Sequence, residues 1–331
     1  MIRSPRPADP DGVARHYDEL DPFYRALWGE HLHHGLWNTG REPPAQAALA
    51  LVDAVLARAR VGAGDAVCDV GCGYGAVTRL LAGRGIHATG LTLSKAQYDH
   101  ARVSAGTVGS KPGMSPPGIG SRPGPSNGTP DQQFLQTTLE GRRLGEAAPA
   151  SPRFLLRDWL DNGLPDGAFD AVLAIESLSH MADPGRAVAE AARVLRPGGR
   201  FVACVWLAGP SPRAWEVRHL LQPICDEGRL PGLPHAADHL AWARDAGLTQ
   251  VTMEDVSERV ARTWRVCALR LGRALGRTDS WRYLLDSGNT ERTFAVTVFR
   301  LMAAYRTGAM RYGILTATRP GRGTPAADDA Y

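Results

Sequence analysis

Nine residues, Val67-Cys68-Asp69-Val70-Gly71-Cys72-Gly73-Tyr74-Gly75, restrict the possible folds more than any other part of the chain. An apolar strand-forming run leads straight into a turn with glycine at alternate positions, and a helix-forming stretch follows from Ala76. Glycines let the backbone turn sharply and let a ligand lie close against it. The start of the helix adds unpaired N–H groups that suit a polar or anionic ligand. The pattern points to a nucleotide-type cofactor. A dinucleotide turn, GxGxxG, is the competing pattern, but Ala76 and Tyr74 do not fit it. An acid two positions before the first glycine, Asp69, sits inside the apolar strand and makes the signal more specific.

The surrounding elements extend the reading. Ala45 to Ala59, preceded by Pro43-Pro44, predicts a helix. Ala66 to Val70 is the first strand, Val77 to Ala82 a helix and Ile86 to Leu93 the second strand. Ser94 can cap a helix over Lys95 to Val103. Arg153 to Leu156, Phe169 to Ile175 and Arg200 to Trp206 read as further strands, with a helix from Asp183-Pro184 through Leu195. Phe169 to Ile175 is continuously apolar, as expected of a strand buried on both faces. Strands alternating with helices predict a parallel sheet covered on both sides. Ligands of such sheets bind beyond the carboxyl ends of the strands, where the strand order reverses. That rule gathers Gly71, Thr92, Asp158 and Glu176 at one edge.

Beyond Trp206 the pattern is less regular. Helices are predicted at Trp215–Leu221, His239–Ala246, Arg259–Leu275 and Thr293–Thr307, with strands at Leu248–Val256 and Arg311–Thr318. Residues 1 to about 10 are expected to be disordered, and Val13 to Trp28 to be amphipathic and aromatic, with a break and a fresh helix start at Asp21-Pro22. His31-Leu32-His33-His34-Gly35-Leu36-Trp37 has no metal-ligand spacing and no partner cluster, so it reads as lid and not as a metal site. Gly, Pro, Ser and Thr dominate residues 106–130 without hydrophobic periodicity. A disordered insertion over 106–150 follows, with a short helix at Phe134–Leu144. The expected organisation is a tail and lid over 1–44, one domain over 45–105 and 151–318 whose 207–310 part covers the substrate, and a loose tail over 319–331.

Composition narrows the class of protein. The chain has 331 residues, 44% of them hydrophobic, enough for a sizeable core. No run approaches the ~18 apolar residues of a membrane span, and Met1 to Pro10 has no apolar signal segment. A soluble cytoplasmic protein without stable membrane insertion is expected. The net charge of +4 is carried almost wholly by arginines scattered along the sequence, so no nucleic-acid surface is expected. The five cysteines fit neither a zinc pattern nor CxxC.

Three stretches, the Asp69 turn, Pro165-Asp166-Gly167-Ala168-Phe169-Asp170 and Leu195-Arg196-Pro197-Gly198-Gly199, resemble class I S-adenosylmethionine (SAM) methyltransferases. Trp28-Gly29-Glu30-His31 to Trp37, Gly90-Leu91-Thr92-Leu93-Ser94 and Arg311-Tyr312-Gly313 resemble the γ-tocopherol methyltransferase and cyclopropane-synthase-like branch. The resemblance implies an α/β, Rossmann-like, seven-stranded and mostly parallel sheet with helices on both faces and a helical N-terminal lid. It implies SAM as cofactor, with Gly71 and Gly73 beside its amino-acid part and Thr92 with Gln97 sharing the ribose. Asp158 and Trp159 would stand beside the adenine, Asp69 would organise the turn, and Cys72, Leu93 and Ile175 would complete the cofactor wall. Trp159 on residue type alone is equally a core aromatic. Glu176, His33 and His34 are expected at the substrate side, the histidines near the methionine end.

A sulfonium methyl is already electrophilic, so the protein needs mainly to align a nucleophile and remove its proton. His180, just past the Phe169–Ile175 strand, is the candidate base; orienting a loop is its alternative role. Cyclopropane synthases place a bicarbonate-binding glutamate just before this histidine, and the chain has Ser179 there, which argues for simple methyl transfer. The expected function is methylation of a small hydrophobic acceptor at C, O or N, in secondary metabolism. A fold relative that binds SAM as a non-methylating cyclase or scaffold is the alternative. Oligomeric state stays open.

Overall fold

The computed structural model describes residues 1–4, 9–19, 21, 31–107, 150–275 and 294–321. Its strands are β1 (Ile2–Arg3), β2 (Ala66–Val70), β3 (His87–Thr92), β4 (Arg153–Leu156), β5 (Phe169–Ile175), β6 (Leu195–Ala208), β7 (Gly232–Leu233), β8 (Thr249–Asp255) and β9 (Met310–Thr318). The main helices are α1 (Pro10–Glu19), α2 (Pro44–Ala59), α3 (Ala76–Gly83), α4 (Lys95–Thr107), α5 (Pro184–Val194), α6 (Ala236–Asp245), α7 (Arg262–Leu275) and α8 (Phe294–Thr307). Seven strands form one sheet in the order β4-β3-β2-β5-β6-β9-β8. β9 runs antiparallel to both of its neighbours, and the pairs from β4 to β6 are parallel.

The chain leaves β2 toward β3 and β4 on one side and returns to β5 on the other. The reversal opens a crevice beyond the carboxyl ends of β2 and β5, as the strand pattern predicts. Every residue of β2 is buried, which suits a central strand. On one face Val67, Leu173, Val202 and Ile314 pack under α2, whose Leu51, Val52 and Val55 are wholly buried. On the other face Val172, Phe201 and Leu315 pack with Ala187, Val188 and Ala191 of α5. Each such Val, Leu, Ile or Phe side chain contributes ~1.5–3 kcal/mol by leaving water. A third cluster joins Leu220, Ile224, Trp264, Leu301 and Met310 over the crevice.

Local chemistry fixes the ends of these elements. Pro44 opens α2 where its missing N–H leaves no bond unmade, and Arg60 closes it in the left-handed region (φ 53°). Asp183 accepts the Arg186 N–H at 2.9 Å and caps α5. Asp18 of α1 accepts from the Ser94 hydroxyl and from the Ala96 N–H at 3.1 Å, at the start of α4. A carboxylate at a helix N-terminus gains ~0.3–1 kcal/mol from the helix dipole, so this contact docks α1 on the sheet domain. Tyr74 adds a second tie, its hydroxyl donating to Asp21 Oδ1 at 2.7 Å.

Several expectations change. Residues Ile2–Arg3, read as disordered, pair antiparallel with Gly232–Leu233, because β7 leaves an edge for them. β6 starts at Leu195 and runs through Pro197-Gly198-Gly199, whereas the sequence predicts helix through Leu195 and strand only from Arg200; the register shift opposite Phe169 and Ala171 absorbs the irregularity. The expected Arg259–Leu275 helix breaks after a short turn at Ser257–Val260. Residues 108–149, with the expected insertion and its Phe134–Leu144 helix, lie outside the described residues, as do Phe23 to Glu30 and 322–331.

Candidate active site

The turn after β2 is held from behind. Asp69 is buried and accepts the Thr78 hydroxyl at 2.7 Å, linking the strand to α3. Burial raises its carboxyl to about 6, against the opposing effect of Thr78. Asp69 therefore shapes the turn without lining the cleft. The Cys72 N–H is spent on the Leu91 carbonyl at 2.8 Å, and Cys72 likewise stays out of the cleft wall. Gly71 and Gly73 do line it, both with positive φ. A Cβ on Gly71 would sit 2.3 Å from Ser177 Cβ, whereas one on Gly73 would meet nothing nearer than Leu32 at 4.0 Å and would stand in the cleft. This is backbone bared to a ligand.

Thr92, Leu93, Gln97, Asp158, Trp159 and Ile175 all line the same cleft. The Thr92 hydroxyl donates to Gln97 Oε1 at 2.9 Å and accepts from Ser94 N–H, which leaves the Gln97 amide hydrogens to face a ligand. Asp158 caps the short turn Trp159–Asp161 by accepting from Leu160 N–H at 2.9 Å. Trp159 is buried and donates its indole N–H to the Ala187 carbonyl at 2.9 Å, so the ring is a core residue with one edge on the cleft.

His180 ends a single helical turn after β5, and its Nε2 lies 2.9 Å from the Tyr17 hydroxyl of α1. Burial, aided by the neighbouring His16, lowers His180 to about 4 despite the Glu176 charge. Burial, with the charge of Glu176, pushes the Tyr17 phenol far up. At neutral pH the pair is an uncharged imidazole beside an uncharged phenol. Both line the cleft, next to Leu32, Met181, Leu230 and Leu301. Tyr17 is absent from the sequence-derived site residues; as one of several aromatics on an amphipathic helix, 163 residues from His180, it carries no local signal.

Glu176 lines the cleft as expected, but its carboxylate is tied into the fold, and His33 and His34 stand behind the wall and not at the substrate side. Glu176 has φ 61°, a conformation a β-carbon disfavours. Its carboxylate accepts from the His34 N–H (2.7 Å), His34 Nδ1 (2.9 Å), the Tyr312 hydroxyl (2.7 Å) and Trp206 Nε1 (3.0 Å). Burial would raise this carboxyl, but the charge and hydrogen bonds of His34, with His33, outweigh it and hold it at about 2. Three of these donors converge on Oε1 and one, Trp206, reaches Oε2, so the carboxylate ties the strand end to the lid and to β9 while Glu176 still lines the cleft. His34 is wholly buried among Trp206, Trp264, Tyr305 and Tyr312. His33 is spent on the His34 carbonyl and on His31. Neither histidine lines the cleft. Among the described residues no group of three or more His, Cys, Asp or Glu is placed to hold a metal ion, and no helix is long and apolar enough to cross a membrane.

A sequence profile described as "Methyltransferase domain" matches residues 44–263. The chain is 27% identical to 27-O-demethylrifamycin SV methyltransferase of Amycolatopsis mediterranei, over 94% of this chain and 98% of that one. It is 28% identical to the probable chloroplastic tocopherol O-methyltransferase of Oryza sativa, over 94% of this chain and 78% of the relative. Among solved structures, the [4+2]-cyclase SpnF superposes with TM-score 0.71 at 27% identity, covering 97% of this chain and 100% of that one. The cyclopropane synthase MmaA2 of Mycobacterium tuberculosis superposes with TM-score 0.72 over 95% of this chain and 100% of that one, at 19% identity, a likeness of fold.

Proposed function

This chain belongs to the methyltransferase-domain family, and we propose that it methylates a hydroxyl group of an uncharged, hydrophobic small molecule, with His180 as the base. It is a SAM-dependent methyltransferase acting on small molecules. SAM supplies an electrophilic sulfonium methyl group. The residues that suit it are the bared backbone of Gly71 and Gly73, the Gln97 amide oriented by Thr92, and the free face of Asp158 with the edge of Trp159. Asp69 and Cys72 keep that wall in shape from behind.

The observation that carries the reading is the Tyr17–His180 contact at 2.9 Å in an apolar chamber. An acceptor hydroxyl can take the place at Nε2 that the Tyr17 hydroxyl holds here. A neutral imidazole then receives the proton as the oxygen becomes alkylated. An alkylated hydroxyl is a very strong acid, so a base lowered to about 4 is sufficient. Trp206, Ile224, Leu230 and Leu301 exclude water from the acceptor side, which supports a hydrophobic acceptor. O-methylating relatives among those matched support oxygen as the acceptor atom. The N-terminal helix, tied down by Asp18 and Tyr17, serves as the lid.

Labelled methyl from SAM, offered with a panel of hydrophobic alcohols and phenols, should appear as an ether. His180→Ala should lower kcat by ~10²–10⁴-fold while the affinity for SAM is kept. Full turnover by that variant removes His180 as the base. The likeness to SpnF supports a second reading, a SAM-binding cyclase. Product formation without any label in the product would favour it.

A further inference from the structure

A second cleft lies away from the catalytic one, between the start of α7, the end of α8 and the start of β9. Four arginines line it: Arg262 and Arg265 one turn apart on α7, Arg306 in the last turn of α8, and Arg311 in β9. The Arg262–Arg265 pair and the Arg306–Arg311 pair are far apart in sequence, and only the fold brings the two pairs together, so the scatter of arginines along the chain conceals a basic cleft. Glu258 is the one acid lining it among the described residues. Arg311 has a partial partner in Asp255 at 3.6 Å. Arg262 stacks over the Trp37 ring, 5.2 Å from its centre. The exposed side chains of Arg265 and Arg306 make no ion pair or hydrogen bond among the described residues. None of the four lines the catalytic cleft.

Like charges converging on one concavity repel one another unless an anion joins them. Guanidinium groups are suited to that anion because each offers a planar fork of donors to two oxygens at once. A single carboxylate engages one fork; a phosphate or diphosphate presents oxygens in several directions and can engage several. Met302, Tyr305 and Ala261 give the cleft an apolar side against which an organic group can rest. We propose that this cleft is a binding site for a phosphate- or diphosphate-bearing small molecule, held by Arg265 and Arg306 with Arg262 and Arg311 at its rim. The site stands apart from the methyl-transfer pocket. Tyr305 connects the two regions, since its hydroxyl lies 3.4 Å from His34 Nε2 and His34 is bonded to Glu176.

The test is calorimetric titration of the full chain with inorganic pyrophosphate at low, constant ionic strength. The wild type should bind saturably. Arg265→Ala with Arg306→Ala should weaken binding at least roughly tenfold, the scale of a lost charge-assisted contact. Arg265→Lys with Arg306→Lys keeps the charge without the fork and should weaken it as well. Both side chains are exposed, so their removal takes nothing from the core. SAM titration of the same variants should match the wild type and shows that they are folded. Absence of saturable binding by the wild type overturns the proposal. So does wild-type affinity for pyrophosphate in either double variant.

Discussion

Replacing Glu176 by glutamine tests whether the carboxylate at the wall of the catalytic pocket is a structural brace. Glutamine keeps the size and the left-handed backbone but turns one acceptor oxygen into a donor. At least one of the four donors around it, among His34 N–H, His34 Nδ1, Trp206 Nε1 and the Tyr312 hydroxyl, then loses its partner in a buried place. An unsatisfied buried donor costs ~1–3 kcal/mol, and more where a charge was involved. The pKa leads to a similar figure. The carboxyl lies at about 2 in the folded protein against an ordinary 4.5, a difference worth ~3 kcal/mol. Because the folded value is depressed, this contribution is complete above pH ~4.5 and is lost as pH falls toward about 2.

Glu176→Gln should therefore unfold with ~3 kcal/mol less stability at pH 7, read from urea denaturation of both proteins. The difference should shrink as the pH is lowered from 5 to about 3, since other carboxylates are common to both and cancel. A loss below ~1 kcal/mol, or a gap that does not change with pH, would refute the brace. Glu176→Gly provides a second check. It removes a backbone strain of ~1–3 kcal/mol along with the same hydrogen bonds, and a variant more stable than wild type would mean that strain outweighs the network.

Two further outcomes follow from the site. Because His180 is held at about 4, the pH profile of kcat/KM should show no limb from this histidine near its ordinary ~6.5; an inflection at 6–7 that disappears in His180→Ala would contradict its burial. Gln97→Ala should weaken SAM binding about tenfold by loss of a ligand-facing amide, and Thr92→Val by less, since Thr92 acts by orienting Gln97. Calorimetry on both variants checks the order, and the reverse ranking would put Thr92 itself on the ligand.

Much of the site was legible because its chemistry is local. Gly71, Gly73, Gln97, Asp158 and Trp159 each sit within a few residues of a strand end, and strand ends can be read from apolar runs and turn residues. Asp69 was legible for the same reason, although its carboxylate serves Thr78 and not the cleft. His34 and Glu176 drew notice as polar groups near the pocket, but residue type cannot tell a free carboxylate from one already surrounded by donors.

By itself the sequence determined the parallel sheet and the position of a turn suited to a nucleotide-type cofactor, because period, apolar runs and glycine spacing act over a handful of neighbouring residues. Tertiary structure alone decided what spans long separations. It set Tyr17 against His180, closed four donors around Glu176 and gathered four arginines into one cleft. Those meetings depend on how helices pack across the sheet, and no local pattern of residues encodes the distance between two side chains that far apart in the chain.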